Sequence, residues 1–290
     1  MLKLLAFARG RWLVSGFLFL AAANVFVWSV IGRAERAVLT VAFLDVGQGD
    51  AIFIEASGGN QVLVDAGRGR QVLRALGAVM PFYDRTINLI VATHPDADHL
   101  GGFSEVLERY AVETVMESGL TADTATDRAF RRAVTAEAAQ TVLARRGMKI
   151  FLGRGAVLEI LFPDWDPSGW ETNTASIVAR LTYGASEFLL TGDSPIKIEK
   201  YLVGRDGSAL RSAVLKAGHH GSKTSNAAEF LAAVAPQYTV ISAGKNNRYG
   251  HPHAAVLAAL QKIGARILRT DELGTVIFQT DGETLTQCPC

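Results

Sequence analysis

Cysteine is almost absent from the 290-residue chain, which contains only Cys288 and Cys290, both within the last three residues. Because no other cysteine can pair with them, a disulfide-framed fold is excluded. Chain ends are often poorly ordered, so we expect this tail to be frayed and without function. A strained bridge between the two cysteines and a stray metal contact are the alternatives.

A large net charge is also lacking. The chain carries 29 Lys and Arg residues against 28 Asp and Glu residues, a formal charge of +1. Residues 1–36 hold five basic side chains and one acidic side chain, which leaves a net charge of −3 for residues 37–290. The body of the protein therefore has no overall basic field of the kind that many nucleic-acid-binding proteins show.

Charged residues are missing from one long stretch, Trp12 to Ile31. As a helix of about 20 residues it would span about 30 Å, the thickness of the hydrocarbon core of a membrane. We interpret residues 1–36 as an uncleaved signal anchor with a transmembrane helix over about 12–31; a cleaved signal peptide is the alternative. Positive charge is greater before the span than after it, which predicts a single-pass cell-membrane protein with an extracytoplasmic body.

Residues 37–290 are predicted to form one α/β domain. Short apolar runs separated by glycine-rich turns indicate strands, and helical periodicity appears over Leu100–Tyr110 and Asp127–Arg146. Polar motifs follow or close several of the apolar runs. They are at Asp45, Asp65, His94, Asp193 and the His219-His220 pair. Loops at strand ends are where sites assemble in layered α/β folds, so these motifs are candidates for one site.

The strongest motif lies between Thr93 and Gly102 and contains four potential metal ligands within six residues, namely His94, Asp96, Asp98 and His99. Imidazole nitrogen and carboxylate oxygen together suit Zn²⁺ or Mn²⁺. A solvated loop with Asp98 as a helix N-cap is the alternative. Asp193 and the glycine-flanked His219-His220 pair are weaker signals alone, but they would complete a binuclear site.

The chain resembles the metallo-β-lactamase superfamily, and specifically the hydrolase-like domain of the ComEC competence family. The resemblance rests on collinear stretches that cover nearly all of Val38–Gln287. They are Phe43–Ala51, Leu63–Gly67, Thr93–Gly102, Asn173–Val178, Thr191–Asp193, Leu215–Ser222 and Tyr249–His253. It implies an αββα sandwich of two mixed β-sheets with outer helices, which follows the predicted N-terminal transmembrane helix.

The resemblance also implies roles for individual residues. One or two divalent ions, Zn or Mn, would be bound by His94, Asp96, Asp98, His99, Asp193 and His220, with His219 facing the substrate. The superfamily's middle histidine is absent, because the corresponding stretch has Asn173 and Ser176, and this weakens the position that holds His94 and Asp96. Asp65 would orient the ligands, and Asp45 is grouped with the residues around them.

The predicted activity is metal-assisted hydrolysis of a phosphodiester, with DNA as the first substrate candidate. Asp98 would steer the attacking water, while His219, His251 or His253 would protonate the leaving oxygen or contact phosphate. Helix capping is the alternative for His251 and His253. Basic and hydroxyl side chains near the motifs would anchor phosphate; they are Lys216, Ser222, Lys223, Lys245, Arg248, Arg68, Arg70 and Arg74. The alternative functions are a phosphorylcholine-esterase-like hydrolase of cell-envelope phosphodiesters and an inactive scaffold that binds metal or nucleic acid.

Overall fold

Two β-sheets pack face to face, as the alternation of side chains along their strands requires. The computed structural model describes Trp12, residues 15–28 and residues 38–288. In the first strand, Leu39, Val41 and Phe43 face the apolar layer between the sheets, whereas Ala42 faces the layer beneath the outer helices. Successive residues of a strand point to opposite faces, so one strand with both faces apolar serves two cores.

The first sheet has eight strands in the order β15-β14-β1-β2-β3-β4-β5-β6. Strands β3 to β6 are parallel, and the other pairs are antiparallel, so the sheet is mixed. The bounds are β1 Leu39–Phe43, β2 Ile52–Glu55, β3 Gln61–Val64, β4 Thr86–Ala92, β5 Ala111–Glu117, β6 Gln140–Leu143, β14 Val276–Thr280 and β15 Leu285–Cys288.

The second sheet has seven strands in the order β13-β12-β11-β10-β9-β8-β7, of which β10 to β13 are parallel. The bounds are β7 Lys149–Gly153, β8 Ala156–Phe162, β9 Val178–Tyr183, β10 Ser186–Leu190, β11 Val214–Lys216, β12 Tyr238–Ile241 and β13 Arg266–Arg269. In both sheets, the loops that follow parallel strands carry the polar motifs.

Helices cover the outer face of each sheet. On the first sheet, apolar residues of α2 Gln71–Val79, α3 Ala97–Leu100, α4 Phe103–Leu107 and α5 Ala125–Glu137 share a core with the strands. On the second sheet, α6 Ile196–Asp206, α7 Ala228–Val234 and α8 Ala254–Lys262 do the same. Short elements complete the body: 3₁₀ turns at Thr172–Ala175, Gly207–Leu210 and Gly218–Gly221, and α9 Thr270–Leu273. The predicted α/β sandwich of two mixed sheets with outer helices is confirmed.

Three local predictions were wrong. The helix expected over Asp127–Arg146 ends at Glu137, because Ala138 adopts a left-handed conformation (φ 58°) and β6 then pairs with β5. The helix expected over Leu100–Tyr110 is divided into α3 and α4 at Gly101-Gly102. Cys288 lies in β15, paired with Ile277, rather than in a frayed tail; Cys290 lies outside the described residues.

The N-terminal unit is described by itself. Residues 15–28 form a helix, α1, whose apolar side chains are exposed, among them Phe19 and Trp28. Within the part of the chain that the structure describes, no helix has both the length and the apolar character to cross a membrane. Positions 13, 14 and 29–31 of the predicted span lie outside the described residues.

Candidate metal centre

The loop after β4 places four candidate ligands beside one another. The strand ends at Ala92, and the chain turns through His94 before α3 begins at Ala97. The rings of His94 and His99 are buried with their centroids 4.1 Å apart. Asp96 and Asp98 remain partly exposed at the rim. The loop and the start of α3 therefore present two imidazoles inside the protein and two carboxylates at its surface.

The second sheet supplies the opposing ligands. Asp193 follows β10, and its Oδ2 lies 3.3 Å from Nε2 of His99 and 3.5 Å from Nε2 of His220. The turn after β11 places His219 and His220 with φ values of 48° and 53°, a left-handed conformation that non-glycine residues seldom adopt. Backbone strain of this kind is common at functional sites. The candidate site is therefore assembled from strand ends of both sheets.

Three histidines share one hydrogen-bonding pattern. Nδ1 of His99 lies 2.7 Å from Oδ2 of Asp65, and Nδ1 of His220 lies 3.0 Å from the carbonyl of Ser242. The hydroxyl of Thr93 donates to Asp65, so it accepts from Nδ1 of His94 at 3.0 Å. In each ring the proton belongs on Nδ1, and the lone pair of Nε2 is left for another partner.

These Nε2 atoms make the site a candidate for binding a cation. All three are buried, and none has a hydrogen-bond partner. Oxygen atoms of Asp98 and Asp193 lie 3.6 and 3.5 Å from Nε2 of His220. Candidate ligand atoms of Asp98, His99 and His220 lie within 4.8 Å of one another, as do those of His94, His99 and Asp193. Buried imidazole lone pairs that converge with carboxylates fit a divalent ion such as Zn²⁺.

A second ion position is less complete. His94 and Asp96 face each other with 3.7 Å between Nε2 and Oδ2. Ser176, in the stretch where a histidine is expected, accepts the amide of Asp193 through its hydroxyl at 3.2 Å. Asn173 contacts His219, with 3.4 Å between Nδ2 and Nδ1. Neither side chain supplies an imidazole, so the two ion positions differ in ligand number.

Asp50 is a site residue that the sequence analysis did not single out, although it closes the Gly47-Gln48-Gly49-Asp50 motif. It is buried, and its carboxylate contacts His220 (Oδ1 to Nδ1, 3.4 Å) and the ammonium of Lys216. Its amide donates to the carbonyl of Asp98 at 3.1 Å. A buried acid in this motif needs a cation, and the two glycines that precede it, Gly47 and Gly49, were the only available signal.

The burial of Lys216 contradicts its predicted role as a phosphate anchor. The side chain is fully buried, and its ammonium contacts Asp50, donates to the carbonyl of Gly192 at 2.9 Å and lies 3.5 Å from Oδ1 of Asp193. Lys216 is therefore an internal counter-charge. The ammonium lies near Oδ1 of Asp193, whereas Oδ2 of that carboxylate faces the histidines.

The charges inside the site shift several pKa values. Burial alone would lower the pKa of His99, but Asp193 and Asp65 outweigh it and hold that pKa well above the usual value. Burial also lowers the pKa of His220, but the negative charges of Asp193 and Asp50 outweigh it and raise that pKa to about 9. Burial raises the pKa of Asp193, but His220, His99 and Lys216 outweigh it and hold it well below the usual value. Without an ion, protons on His99 and His220 balance the carboxylates, whereas burial lowers the pKa of His94.

The remaining predicted residues lie around this centre. His251 is near the histidine pair, with its ring centroid 5.5 Å from that of His219. His253 is exposed and accepts the amide of Ala255 as the N-cap of α8, so it has the capping role that was its alternative. Asp45 accepts the amide of Gly47 and shapes that turn. The hydroxyl of Ser222 contacts that of Thr224 at 3.0 Å, while Lys223 is exposed.

The chain is similar in sequence to a known superfamily and to competence proteins. The model of the metallo-beta-lactamase superfamily matches residues 44–245. ComE operon protein 3 of Bacillus subtilis (strain 168) is 31% identical over 257 residues, which cover 82% of this chain and 33% of that protein. Competence protein ComA of Neisseria gonorrhoeae is 35% identical over 194 residues, 67% of this chain and 25% of that protein. The chain thus spans a third or less of the length of these relatives.

Solved structures share the fold at low identity. The diiron β-hydroxylase CmlA from Streptomyces venezuelae is 14% identical, with a TM-score of 0.52 over 80% of this chain and 52% of that one. Zn²⁺-bound PqqB from Methylobacterium extorquens is 11% identical, with a TM-score of 0.51 over 80% of this chain and 97% of that one. At this level of identity the likeness establishes the architecture alone.

Proposed function

Because the chain belongs to the metallo-β-lactamase superfamily and its sequence is ComEC-like, we propose that it is a metal-dependent phosphodiesterase that cleaves DNA. One observation carries the proposal. Nε2 atoms of three buried histidines, each without a hydrogen bond, lie around the carboxylate of Asp193, which is 3.3 Å from His99 and 3.5 Å from His220 and shares a candidate cluster with His94. Leaving buried polar atoms unpaired is unfavourable, so such an arrangement is maintained for a bound ion.

Residues of this chain would bind the ion, orient the attacking water and donate a proton. A divalent ion supplies Lewis acidity toward a phosphoryl oxygen and lowers the pKa of water. His99, His220 and Asp193 hold the cation, and Asp65 keeps the ring of His99 in the required tautomer. Asp98, at the rim, orients the attacking water. His219 is partly exposed, with Nε2 3.7 Å from Oδ2 of Asp193, and is placed to donate a proton to the leaving oxygen.

Membrane tethering is a second part of the proposal. Helix α1 exposes large apolar side chains, including Phe17, Phe19 and Trp28. Exposed apolar surface of this extent is typical of a segment that contacts lipid or another protein. We expect the full chain to sediment with membranes and to require detergent, not alkaline carbonate, for its release. Release by carbonate would contradict the tether and leave the enzymatic proposal intact.

The enzymatic test uses the full chain purified in detergent. We expect Zn or Mn by elemental analysis, and hydrolysis of both bis-p-nitrophenyl phosphate and a single-stranded oligonucleotide. Asp193→Ala should lower both activities more than about 100-fold, since loss of a group that merely orients a ligand already weakens metal sites 10–100-fold. Asp123→Ala, which removes a side chain that is 95% exposed, is the matched control and should behave as wild type.

The outcomes separate the candidate functions. Metal that is absent both as isolated and after reconstitution would favour a scaffold. Hydrolysis of the small diester without hydrolysis of DNA would favour an envelope phosphodiester, which p-nitrophenyl phosphorylcholine tests directly. Undiminished turnover by Asp193→Ala would exclude its role as a ligand.

A further inference from the structure

A second cleft opens beside the metal centre. Its volume is about 370 Å³, within the range of about 300–1,000 Å³ that is usual for ligand pockets. It lies between the loop after β1, the loop after β3 and the loop after β12. Besides Val46 and Gly47, the residues that line it have polar, basic or aromatic side chains: Gln48, Arg68, Gln71, Asn247, Arg248 and Tyr249.

The two arginines bring positive charge that the protein itself does not neutralise. Arg68 and Arg248 come from different sheets and line the same cleft. Among the residues that the structure describes, no acidic side chain forms an ion pair with either of them. Arg248 donates to the hydroxyl of Tyr249 at 2.9 Å, which leaves its charge in place. An open cleft lined by two guanidinium groups without an acidic partner fits an anion, because guanidinium binds phosphate oxygens in a bidentate manner.

Planar groups connect this cleft to the metal centre. The ring of His251 lies 5.5 Å from that of His219, and the ring of Tyr249 stacks on His251 at 5.7 Å with an interplanar angle of 23°. The guanidinium of Arg248 lies 5.0 Å from the centroid of Tyr249. On the other side, the Gln48 loop continues into Asp50, whose amide binds the carbonyl of Asp98. A chain molecule held at the metal centre would therefore pass into this cleft.

The cleft is held open by hydrogen bonds that do not involve the arginines. Oδ1 of Asn247 accepts the amides of Tyr249 and His251 at 3.2 and 3.0 Å, which shapes the loop that carries Arg248. Oε1 of Gln48 accepts the amide of Gly244 at 3.1 Å and joins the loops of the two sheets. Because the walls are fixed, little ordering is needed when a ligand enters.

We propose that this cleft binds the nucleotide next to the scissile phosphodiester of a single-stranded nucleic acid. Arg68 and Arg248 bind its phosphate, and its base stacks on the planar side chains of Tyr249 and Arg248. Aromatic rings and guanidinium planes are the surfaces on which unpaired bases stack. The inference rests on the proposed phosphodiesterase function and names its substrate class, because an envelope phosphodiester offers no base to stack.

Binding is measured first, on metal-free protein in EDTA, by fluorescence anisotropy of a labelled single-stranded oligonucleotide. We expect each of Arg68→Ala and Arg248→Ala to weaken binding about tenfold, the effect of one lost charge-assisted hydrogen bond. Each substitution should also reduce the slope of log affinity against log salt by about 0.7, the value for one phosphate contact on a single strand. Arg68→Gln and Arg248→Gln, which keep most of the side-chain length, should give the same loss.

Tyr249→Leu tests whether a base of the strand stacks on the ring of Tyr249. The variant should bind an ordinary strand several-fold more weakly than wild type does, since stacking contributes about 1–3 kcal/mol per base. An abasic strand should bind the two proteins alike. Arg109→Ala is the control for charge. The exposed Arg109 lies two residues before β5, at the amino end of a strand that is parallel to β4, whereas the site lies at the carboxyl end of β4. It should keep wild-type binding and salt dependence.

Hydrolysis supplies the second readout. In the double variant Arg68→Ala/Arg248→Ala, the ratio of kcat/KM for the oligonucleotide to kcat/KM for bis-p-nitrophenyl phosphate should fall at least tenfold. Equal oligonucleotide binding by wild type and the double variant overturns the inference. A wild-type protein that hydrolyses neither compound overturns the proposed function alone. The binding measurement does not depend on hydrolysis, so it tests the role of the cleft separately.

Discussion

The ammonium of Lys216 contacts the carboxylate of Asp50 in the interior of the protein, where their exposed fractions are 0% and 1%. Lys216 ends β11 in one sheet, whereas Asp50 precedes β2 in the other. The same ammonium lies 3.5 Å from Asp193. Burial lowers the pKa of Lys216, but Asp50 and Asp193 outweigh it and raise that pKa, so the lysine stays charged. The pair therefore joins the two sheets beside the candidate metal ligands.

Lys216→Met should destabilise the fold by about 3–5 kcal/mol, because removing one partner leaves buried carboxylates without a counter-charge. Urea unfolding of metal-free protein measures this free energy. The double variant Lys216→Met/Asp50→Asn should regain part of the loss, since it removes the stranded charge as well. A Lys216→Met protein as stable as wild type would mean that water or a proton neutralises Asp50 without the lysine.

Asp65→Asn should weaken metal binding 10–100-fold, because the charge that holds Nδ1 of His99 is lost. Asparagine tolerates the left-handed backbone at this position (φ 57°), so the loop should keep its shape. Competition with a chromogenic chelator measures the affinity. Asp45→Asn, in a turn away from the ligands, is the matched control. Equal metal affinities for the two variants would exclude a role of Asp65 in metal binding.

Metal affinity should rise with pH between about 6.5 and 9. In ion-free protein the pKa of His220 is about 9, because Asp193 and Asp50 outweigh the effect of burial, and bound protons compete with the ion. Since this pKa is raised above the unfolded value, the stability it contributes is full below pH 6.5 and disappears as pH passes 9. Melting temperatures should therefore fall with pH in EDTA and fall less with Zn²⁺. If melting temperature fell with pH to the same extent in EDTA and with Zn²⁺, competition between protons and the ion would be contradicted.

Glu199→Gln should remove a second pH dependence that does not involve metal. Burial raises the pKa of Glu199 to about 7, although the amides of Ala227 and Asn226 oppose the shift. The folded protein then binds more protons than the unfolded chain between pH 4.5 and 7, so the contribution of this carboxyl to stability decreases as pH rises through that window. Urea unfolding at pH 5 and 7.5 should show a smaller decrease for the variant. The exposed Glu283→Gln should retain the wild-type decrease.

Local patterns predicted much of the site. His94, Asp96, Asp98 and His99 are close in sequence, and a single loop places them together, so their spacing alone indicated a cation site. The alternation of buried residues in strands such as β1 and β8 was equally readable. These features depend on neighbours along the chain, which is the information that a sequence displays directly.

Other features depend on partners that are distant in sequence. Lys216 looked like a surface phosphate ligand, because nothing near it in the chain reveals the buried Asp50 across the sandwich. Strands β6 and β7 escaped prediction because they are edge strands. Three of the four residues of β6 are exposed, and the apolar run of β7 is only three residues long. Strand β6 also continues an Ala- and Arg-rich helical pattern, and only its pairing with β5 makes it a strand.

Strand β1 has consequences for biosynthesis. It lies between β2 and β14, so one of its two neighbours is made only when Val276–Thr280 has been translated. Until then its backbone amides and carbonyls on that side lack partners, and such an open edge readily captures a strand from another molecule. Chains that terminate before Val276 should therefore aggregate even though they already contain His94, Asp193 and His220, and a ribosome-stalled nascent chain of that length should depend on a chaperone.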